Sequence, residues 1–365
     1  MKRSLNASLE RLYQLFTSDL SVSEIERLIK RDAPGVYDFY VRDLERPDQQ
    51  QNPVLRGLTF ISNLFLTFLR KLTPARRLLY AMVLFLFAYG YVNANWLFGG
   101  LAFLLLNVLL AFELADKLTA KDELEVAREI QMGLLPAVAP QHRDYDIASF
   151  AEAAREVGGD YYDFIVPEGD GERLLVTIGD VSGKGMAAAL HMVQAHAILH
   201  NLAGRYPNPR DILTALDENM RTVLPRNAFL TIGMASLNGG GDIDFCRAGH
   251  MPLIHYGAEM RRCKAIAPAG IGVGLSANGR FAKELDQVRL TPQAGDLLLF
   301  YTDGIVEAMN ATRQEYGQER LEGVLCAHAS GSARQVLDAI LTDLAQFRGA
   351  APTADDLTLV VMKKR

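Results

Sequence analysis

Between Leu78 and Phe112 the chain carries no charged side chain, and nothing else in the sequence restricts its possible folds as strongly. The only strongly polar residues in this stretch are Asn93, Asn95 and Asn107. A helix that crosses a bilayer takes about 17–25 mostly apolar residues. The stretch is too long for one such helix and long enough for two short ones, Leu78–Val92 and Trp96–Phe112. Asn93-Ala94-Asn95 then forms the turn, with Tyr91 and Trp96 at the aromatic interface belt. Arg70, Lys71, Arg76 and Arg77 stand just before the stretch. Clustered basic residues hold their end of a span in the cytoplasm, and a hairpin returns the chain to that side. A buried hairpin in a soluble protein is one alternative. One long tilted span is another, and it would put the two ends on opposite sides.

The flanks have different patterns. In residues 1–46, Leu5, Leu9, Leu12, Leu15 and Phe16 recur at helical spacing. Ser21 with Glu24 forms a capping-box pattern, and Asp32-Ala-Pro34-Gly35 breaks the helix that follows it. This predicts a small helical region, a cap or a docking module, with no visible chemistry. Charges run throughout residues 1–30, so no secretory signal is expected. Residues 47–77 read as a polar linker, Pro47 to Pro53, and an interfacial helix over Val54–Leu69. Residues 113–136 read as a linker helix, with Leu118, Val126, Ile130 and Leu134 four or eight apart and Pro136 ending the run. That stripe could pair with a second copy in a homodimer, or pack on its own chain's next domain.

Residues 137–365 alternate apolar runs with helical segments. Strands are predicted at Tyr145–Phe150, Leu174–Ile178, Phe229–Ser236, Ile243–Cys246, Leu253–Tyr256, Val288–Leu290, Leu297–Tyr301 and Leu357–Met362. Helices are predicted from Met186 to about Leu202, from Pro209 to about Val223, and from Ser332 to about Phe347. Short connections such as Asn238–Asp242 favour antiparallel sheets. The sum is a layered α+β sandwich. A net charge of -5 argues against nucleic acid as partner. Cys246, Cys263 and Cys326 form no C-x-x-C pair, so a disulfide framework or cysteine-ligated zinc is not expected.

Chemistry enters through the placement of aspartates. Gly179-Asp180 follows the run Leu174–Ile178, and Thr302-Asp303-Gly304 follows Leu297–Tyr301. Gly158-Gly159-Asp160 is a third glycine-flanked aspartate, and Asp355-Asp356 precedes Leu357–Met362. One Asp-Gly is a common turn. Several carboxylates gathered at strand ends would repel and raise one another's pKa. A hard divalent cation, which prefers oxygen ligands, resolves that conflict.

These residues carry a resemblance. Ala127–Gln131 with Leu134-Leu-Pro136, Gly158–Asp163, Gly179–Gly185, Ala248–Pro252, Tyr301–Gly304 and Asp355–Thr358 resemble, in order, the motifs of the metal-dependent protein phosphatases of the 2C superfamily. The match is to their stage II sporulation protein E branch, whose members regulate partner-switching pathways. The resemblance implies an α-β-β-α sandwich with two Mn²⁺ or Mg²⁺ ions at one end. It implies that Asp180 bridges the ions, that the Val181 carbonyl binds one, and that Asp303 and Asp355 hold the second. Asp160 would touch the cluster directly or through water, and Asp356 stands where relatives have Asn or Asp. Ions about 3.5–4 Å apart would generate a bridging hydroxide that attacks a seryl or threonyl phosphate. The implied partner is a phosphoprotein similar to an anti-sigma-factor antagonist, at the cytoplasmic membrane, with the phosphatase domain in the cytoplasm. Gln131 lies in the linker motif, through which an upstream signal would order the metal site. The rival reading is a catalytically silent membrane receptor that sequesters a switch protein.

Three smaller signals remain. Gly183-Lys184-Gly185 lacks phosphate-loop spacing, which leaves Lys184 as a substrate-binding or loop residue. His250, in Gly249-His250-Met251-Pro252, is predicted to position substrate, to protonate the leaving group, or to shape its loop. His196 and His200 stand four apart on a predicted helix, as a metal pair could, but no carboxylate or third histidine completes that site, so they read as packing residues.

Overall fold

The computed structural model describes residues 53–365 except 155, 168–172 and 277–278. The predicted helices of residues 1–46 and most of the polar linker lie outside the described residues. The chain divides into two compact units, Met1–Leu118 and Thr119–Arg365.

The first unit contains α1 (Pro53–Lys71), α2 (Pro74–Val92) and the beginning of α3 (Trp96–Leu134). Pro74 opens α2 where a helix has no use for the missing N–H. The turn falls at Asn93–Asn95 as predicted. There the Asn95 side chain accepts from the Leu97 amide at 3.1 Å and caps α3. Asn93 Nδ2 donates to the Tyr89 carbonyl (2.9 Å) and Asn107 Nδ2 to that of Phe103 (2.8 Å), so each amide is satisfied by its own helix. At the open end of the hairpin Arg76 pairs with Glu113 (3.1 Å) and Asp116 (2.7 Å). Both α2 and α3 are long and apolar enough to cross a membrane. Their large side chains stay uncovered: Leu78, Phe85, Phe87, Trp96 and Phe103 are all exposed. The helix expected over residues 113–136 runs on directly from the second apolar helix. No Gly or Pro interrupts Glu113–Met132, so nothing stops the helix before Gly133 and Pro136.

The second unit contains two five-stranded antiparallel sheets. Its strands are β1 (Tyr145–Glu152), β2 (Asp160–Ile165), β3 (Leu174–Val181), β4 (Leu230–Leu237), β5 (Ile243–Ala248), β6 (Leu253–Gly257), β7 (Arg262–Ile266), β8 (Gln287–Leu290), β9 (Leu297–Tyr301) and β10 (Leu357–Lys364). One sheet has the order β1-β10-β9-β6-β7 and the other β2-β3-β4-β5-β8. The helices are α4 (Met186–Ala203), α5 (Pro209–Met220), α6 (Arg280–Glu284), α7 (Asp303–Val306), α8 (Gln318–His328) and α9 (Ala333–Arg348). Three hydrophobic layers account for the stacking. Met192, Leu199, Ile212 and Leu216 of α4 and α5 bury against Leu175 and Ile232 of the second sheet. Leu321, Leu325, Val336 and Ile340 of α8 and α9 bury against Leu299 and Leu359 of the first. Val176, Ile178, Phe245, Phe300 and Val360 fill the space between the sheets. This is the α-β-β-α sandwich that the resemblance implied.

Five elements of this unit escaped the sequence reading, among them the short helices α6 and α7, of five and four residues. The aspartates in Asp160-Tyr-Tyr-Asp163 hide the strand character of β2. β7 is an exposed edge strand with Arg262 and Lys264 on it. α8 is so charged that only Leu321 and Leu325 are buried.

Candidate active site: an acidic cluster at the strand ends

Strand register brings the first two aspartates together. β2 and β3 pair so that Asp160 stands directly opposite Asp180, an arrangement that like charges disfavour. From the other sheet, β9 delivers Asp303 as the first residue of α7, and the segment entering β10 delivers Asp355 and Asp356. The five aspartates predicted from scattered motifs therefore converge at one end of the sandwich. Three of them, Asp180, Asp355 and Asp356, line a cleft of about 160 Å³, whose walls also include Gly158, Gly159 and Lys184.

Each carboxylate has distinct partners. Asp160 is buried between the sheets, where its Oδ2 accepts from Thr302 Oγ1 (2.8 Å) and Thr358 Oγ1 (2.6 Å). Burial and the neighbouring Asp180 nevertheless hold its pKa well above the usual carboxylate range. Asp356 faces backbone donors, with Oδ1 on the Ala154 amide (2.8 Å) and Oδ2 on those of Gly159 (2.7 Å) and Asp160 (3.4 Å). It therefore ties the start of β10 to the loop before β2. Asp355 Oδ2 meets the Lys184 ammonium at 2.7 Å. Asp180 accepts no such bond among the described residues. Burial, then Asp303, Asp355 and Asp356, push its pKa up to about 7 against the opposing pull of Lys184. Asp303 is raised by burial and by Asp355.

These donors fit divalent cations. The cluster is all oxygen and mutually repelling, the situation a hard ion relieves. Gly159 keeps the centre open: a Cβ there would lie 2.7 Å from the Val181 carbonyl and 2.9 Å from Asp180 Oδ1. A Cβ on Gly158 would fall 2.2 Å from Asp356 Oδ2. The two glycines are thus dictated by the approach of these oxygens.

The remaining predicted residues are distributed around this centre. Gln131, near the end of α3, is buried against Gly158: its Nε2 donates to the Gly158 carbonyl (2.6 Å), and the Gly158 amide donates to its Oε1 (3.2 Å). His250 does not line the cleft. It is buried, with Nδ1 2.9 Å from Thr231 Oγ1, and burial pushes its pKa down to about 3. Of its predicted roles, this geometry suits the loop-shaping one, since a neutral buried imidazole has no proton to give at neutral pH. Sequence reasoning missed Thr302, Thr358 and Glu307. The hydroxyls carried no signal beyond lying next to the aspartate motifs. Glu307 sits one turn after Asp303, and burial followed by Asp303 raises its pKa.

A correction concerns the helical histidines. β2 supplies the carboxylate that the sequence did not place near them: Asp163 Oδ2 is 2.6 Å from His200 Nε2 and 3.5 Å from His196 Nε2. Asp163 lies three residues from Asp160, so the strand's alternation turns it to the opposite face, toward α4.

Residues 170–365 match the family described as Stage II sporulation protein E (SpoIIE). The chain belongs to that family. Its second unit is a PP2C-type phosphatase domain. The SiaA-PP2C domain of Pseudomonas aeruginosa superposes with a TM-score of 0.60 at 20% identity, covering 69% of this chain and 98% of that one, and so shares the fold. Phosphoserine phosphatase RsbU of Bacillus subtilis (strain 168) is 27% identical over 253 residues, 67% of this chain and 71% of RsbU. Protein IcfG of Synechocystis sp. is 29% identical over 288 residues, 70% of this chain but 44% of IcfG. The chain is a metal-dependent phosphatase of this type.

Proposed function

We propose that this chain is a membrane-anchored protein serine/threonine phosphatase that removes phosphate from a signalling partner, a reading supported by its similarity to a protein named as a phosphoserine phosphatase. The observation that carries the reading is the cleft lined by Asp180, Asp355 and Asp356, with the charge of Asp303 acting on Asp180. Two divalent ions held there, Mn²⁺ or Mg²⁺, would supply an activated water and neutralise the phosphoryl oxygens. Asp180 takes the central position, with Asp303 and Asp355 on the outer side. Asp160 is braced by Thr302 and Thr358 and fixes the inner wall. Asp356 acts on the others by holding the Gly158-Gly159 turn. A cation held by Asp355 would compete with its pairing to Lys184, which stands at the mouth where it could attract an incoming phosphate. Gln131 anchors the end of α3 to the same turn, so a change in that helix alters where Gly159, and with it the Asp180 pocket, can lie.

The anchoring rests on the hairpin of α2 and α3. Its large apolar side chains, Leu78, Phe85, Trp96 and Phe103 among them, are left largely exposed, and its three asparagines satisfy themselves within the hairpin. Lipid is the environment that suits both facts. The partner is expected to resemble an anti-sigma-factor antagonist.

The test is phosphate release from a phosphoserine peptide and from p-nitrophenyl phosphate by the detergent-solubilised chain. Release is compared in Mn²⁺, Mg²⁺ and chelator, with Asp180→Asn alongside. Metal-dependent turnover, reduced more than about 100-fold in the variant, is expected, because loss of an outer partner alone costs up to that much. Turnover that persists in chelator or in Asp180→Asn would sink the reading. A folded chain silent with both metals would favour the receptor alternative.

A further inference from the structure

The cluster of Asp163, His196 and His200 stands apart from the acidic cleft and has a different chemical character. The two histidines are four residues apart on α4, so their rings project from the same face toward β2. Their ring centroids are 4.4 Å apart. Both Nε2 atoms converge on one oxygen, Asp163 Oδ2, and the three potential ligand atoms all lie within 4.8 Å of one another. The carboxylate is nearly fully buried and already oriented. Its Oδ1 accepts from the Phe164 amide (2.7 Å), and its Oδ2 accepts from the Tyr161 hydroxyl (2.9 Å). The Tyr161 ring sits edge-on to His196 at 5.8 Å.

We propose that Asp163, His196 and His200 form a second metal site, one that takes a divalent transition ion, Zn²⁺ above all, with a water in the fourth position. The ligand types select the ion. Two imidazoles and one carboxylate suit Zn²⁺, whereas the all-oxygen cleft suits Mg²⁺ or Mn²⁺. The distances suit it too. Tetrahedral Zn²⁺ with bonds of about 2.0–2.2 Å places its ligand atoms roughly 3.3–3.5 Å apart. His196 and Asp163 are already separated by 3.5 Å. The 2.6 Å contact between His200 and Asp163 is a hydrogen bond that must open by under about 1 Å. The half-exposed side chain of His200 has room for that movement. The ion replaces the proton shared by His200 and Asp163, and that proton leaves to solvent. The fourth position opens on the side where His200 meets solvent.

Such an ion would staple α4 to β2. Both elements reach the catalytic cleft at their other ends, α4 just after Lys184 and β2 through Asp160. Zn²⁺ here is therefore expected to stabilise the fold without entering the cleft.

The experiment uses the full chain in detergent, stripped with chelator and then given millimolar Mg²⁺ to fill the acidic cleft. Zn²⁺ is titrated by calorimetry. In a parallel sample Co²⁺ replaces Zn²⁺ and the visible spectrum is recorded. One saturable Zn²⁺ per chain is expected, with a rise in melting temperature and the intense visible band of four-coordinate Co²⁺. His196→Ala and His200→Gln should each weaken Zn²⁺ binding at least about 100-fold. Asp180→Asn should leave it unchanged. The Co²⁺ spectrum of the unaltered chain decides the matter even if a histidine variant folds poorly. No saturable binding above the Mg²⁺ background overturns the proposal. So does binding that Asp180→Asn abolishes, binding that His200→Gln leaves intact, or a Co²⁺ spectrum of six-coordinate type. A phosphatase lacking this site would still show the metal-dependent turnover described above, so the two readings fail separately.

Discussion

Asp180 stands across the β2–β3 ladder from Asp160, faces three more carboxylates, and titrates near 7 rather than at 3.8. That shift makes the metal-free fold pH-dependent. A carboxyl whose folded pKa is raised binds more protons folded than unfolded between about 4 and 7, so its contribution to stability falls as pH rises through that window. In chelator, the melting temperature should therefore drop between pH 5 and pH 8. The drop should shrink in Asp180→Asn, which removes the charge that burial disfavours, and also when Mn²⁺ is added. A thermal-denaturation series over pH for both chains checks this. Equal slopes in the two would show that other groups dominate. The same residue would thus limit stability and carry activity, so one substitution should stabilise the metal-free fold and abolish turnover.

At the scale of elements, β2 does two jobs because its side chains alternate. Asp160 turns inward to Thr302 and Thr358, and Asp163 turns outward to His196 and His200. The tyrosines beside them fill the adjoining cores, Tyr161 under α4 and Tyr162 between the sheets. The end of α3 is the other informative element. Gln131 bonds both polar backbone groups of Gly158, in a buried position where a lost partner costs about 1–3 kcal/mol. Gln131→Leu should leave the sandwich folded but loosen the Gly158-Gly159 turn. The expected result is weaker Mn²⁺ affinity, by about 10-fold or more, and lower turnover at limiting metal. Calorimetric Mn²⁺ titration reads this directly. Unchanged affinity with unchanged turnover would mean that the contact is packing alone.

For the whole molecule, the uncovered hairpin and the sandwich set different requirements. The sandwich buries three hydrophobic layers. α2 and α3 instead present Leu78, Phe85, Trp96 and Phe103 outward. At about 1.5 Å per residue, the 19 residues of α2 extend about 28 Å, close to a bilayer's hydrocarbon thickness. Fractionation of cells expressing the chain should leave it in the membrane pellet after alkaline carbonate washing, and removal of residues 74–112 should release it. Recovery of the intact chain in the soluble fraction would show that protein, not lipid, covers the hairpin.

Local order was legible wherever one rule of spacing decided it. The charge-free stretch gave the two apolar helices and their asparagine turn, since a run without charge has few stable conformations. The runs that became β3, β9 and β10 could be read because buried strands are continuously apolar. The aspartates at their ends pointed to a cation because like charges do not gather without one. Tertiary structure decided what depends on contacts between distant residues. It chose Asp163 as the partner of His196 and His200, 33 and 37 residues away by sequence number. It set Thr302 and Thr358 on Asp160, and it turned Asp356 onto backbone amides. It also buried His250 away from solvent and drew α3 into one unbroken helix. Sequence spacing carries the period of a strand or a helix. Which faces meet, and which carboxylate ends beside which imidazole, is fixed only when two sheets and their helices close around shared cores.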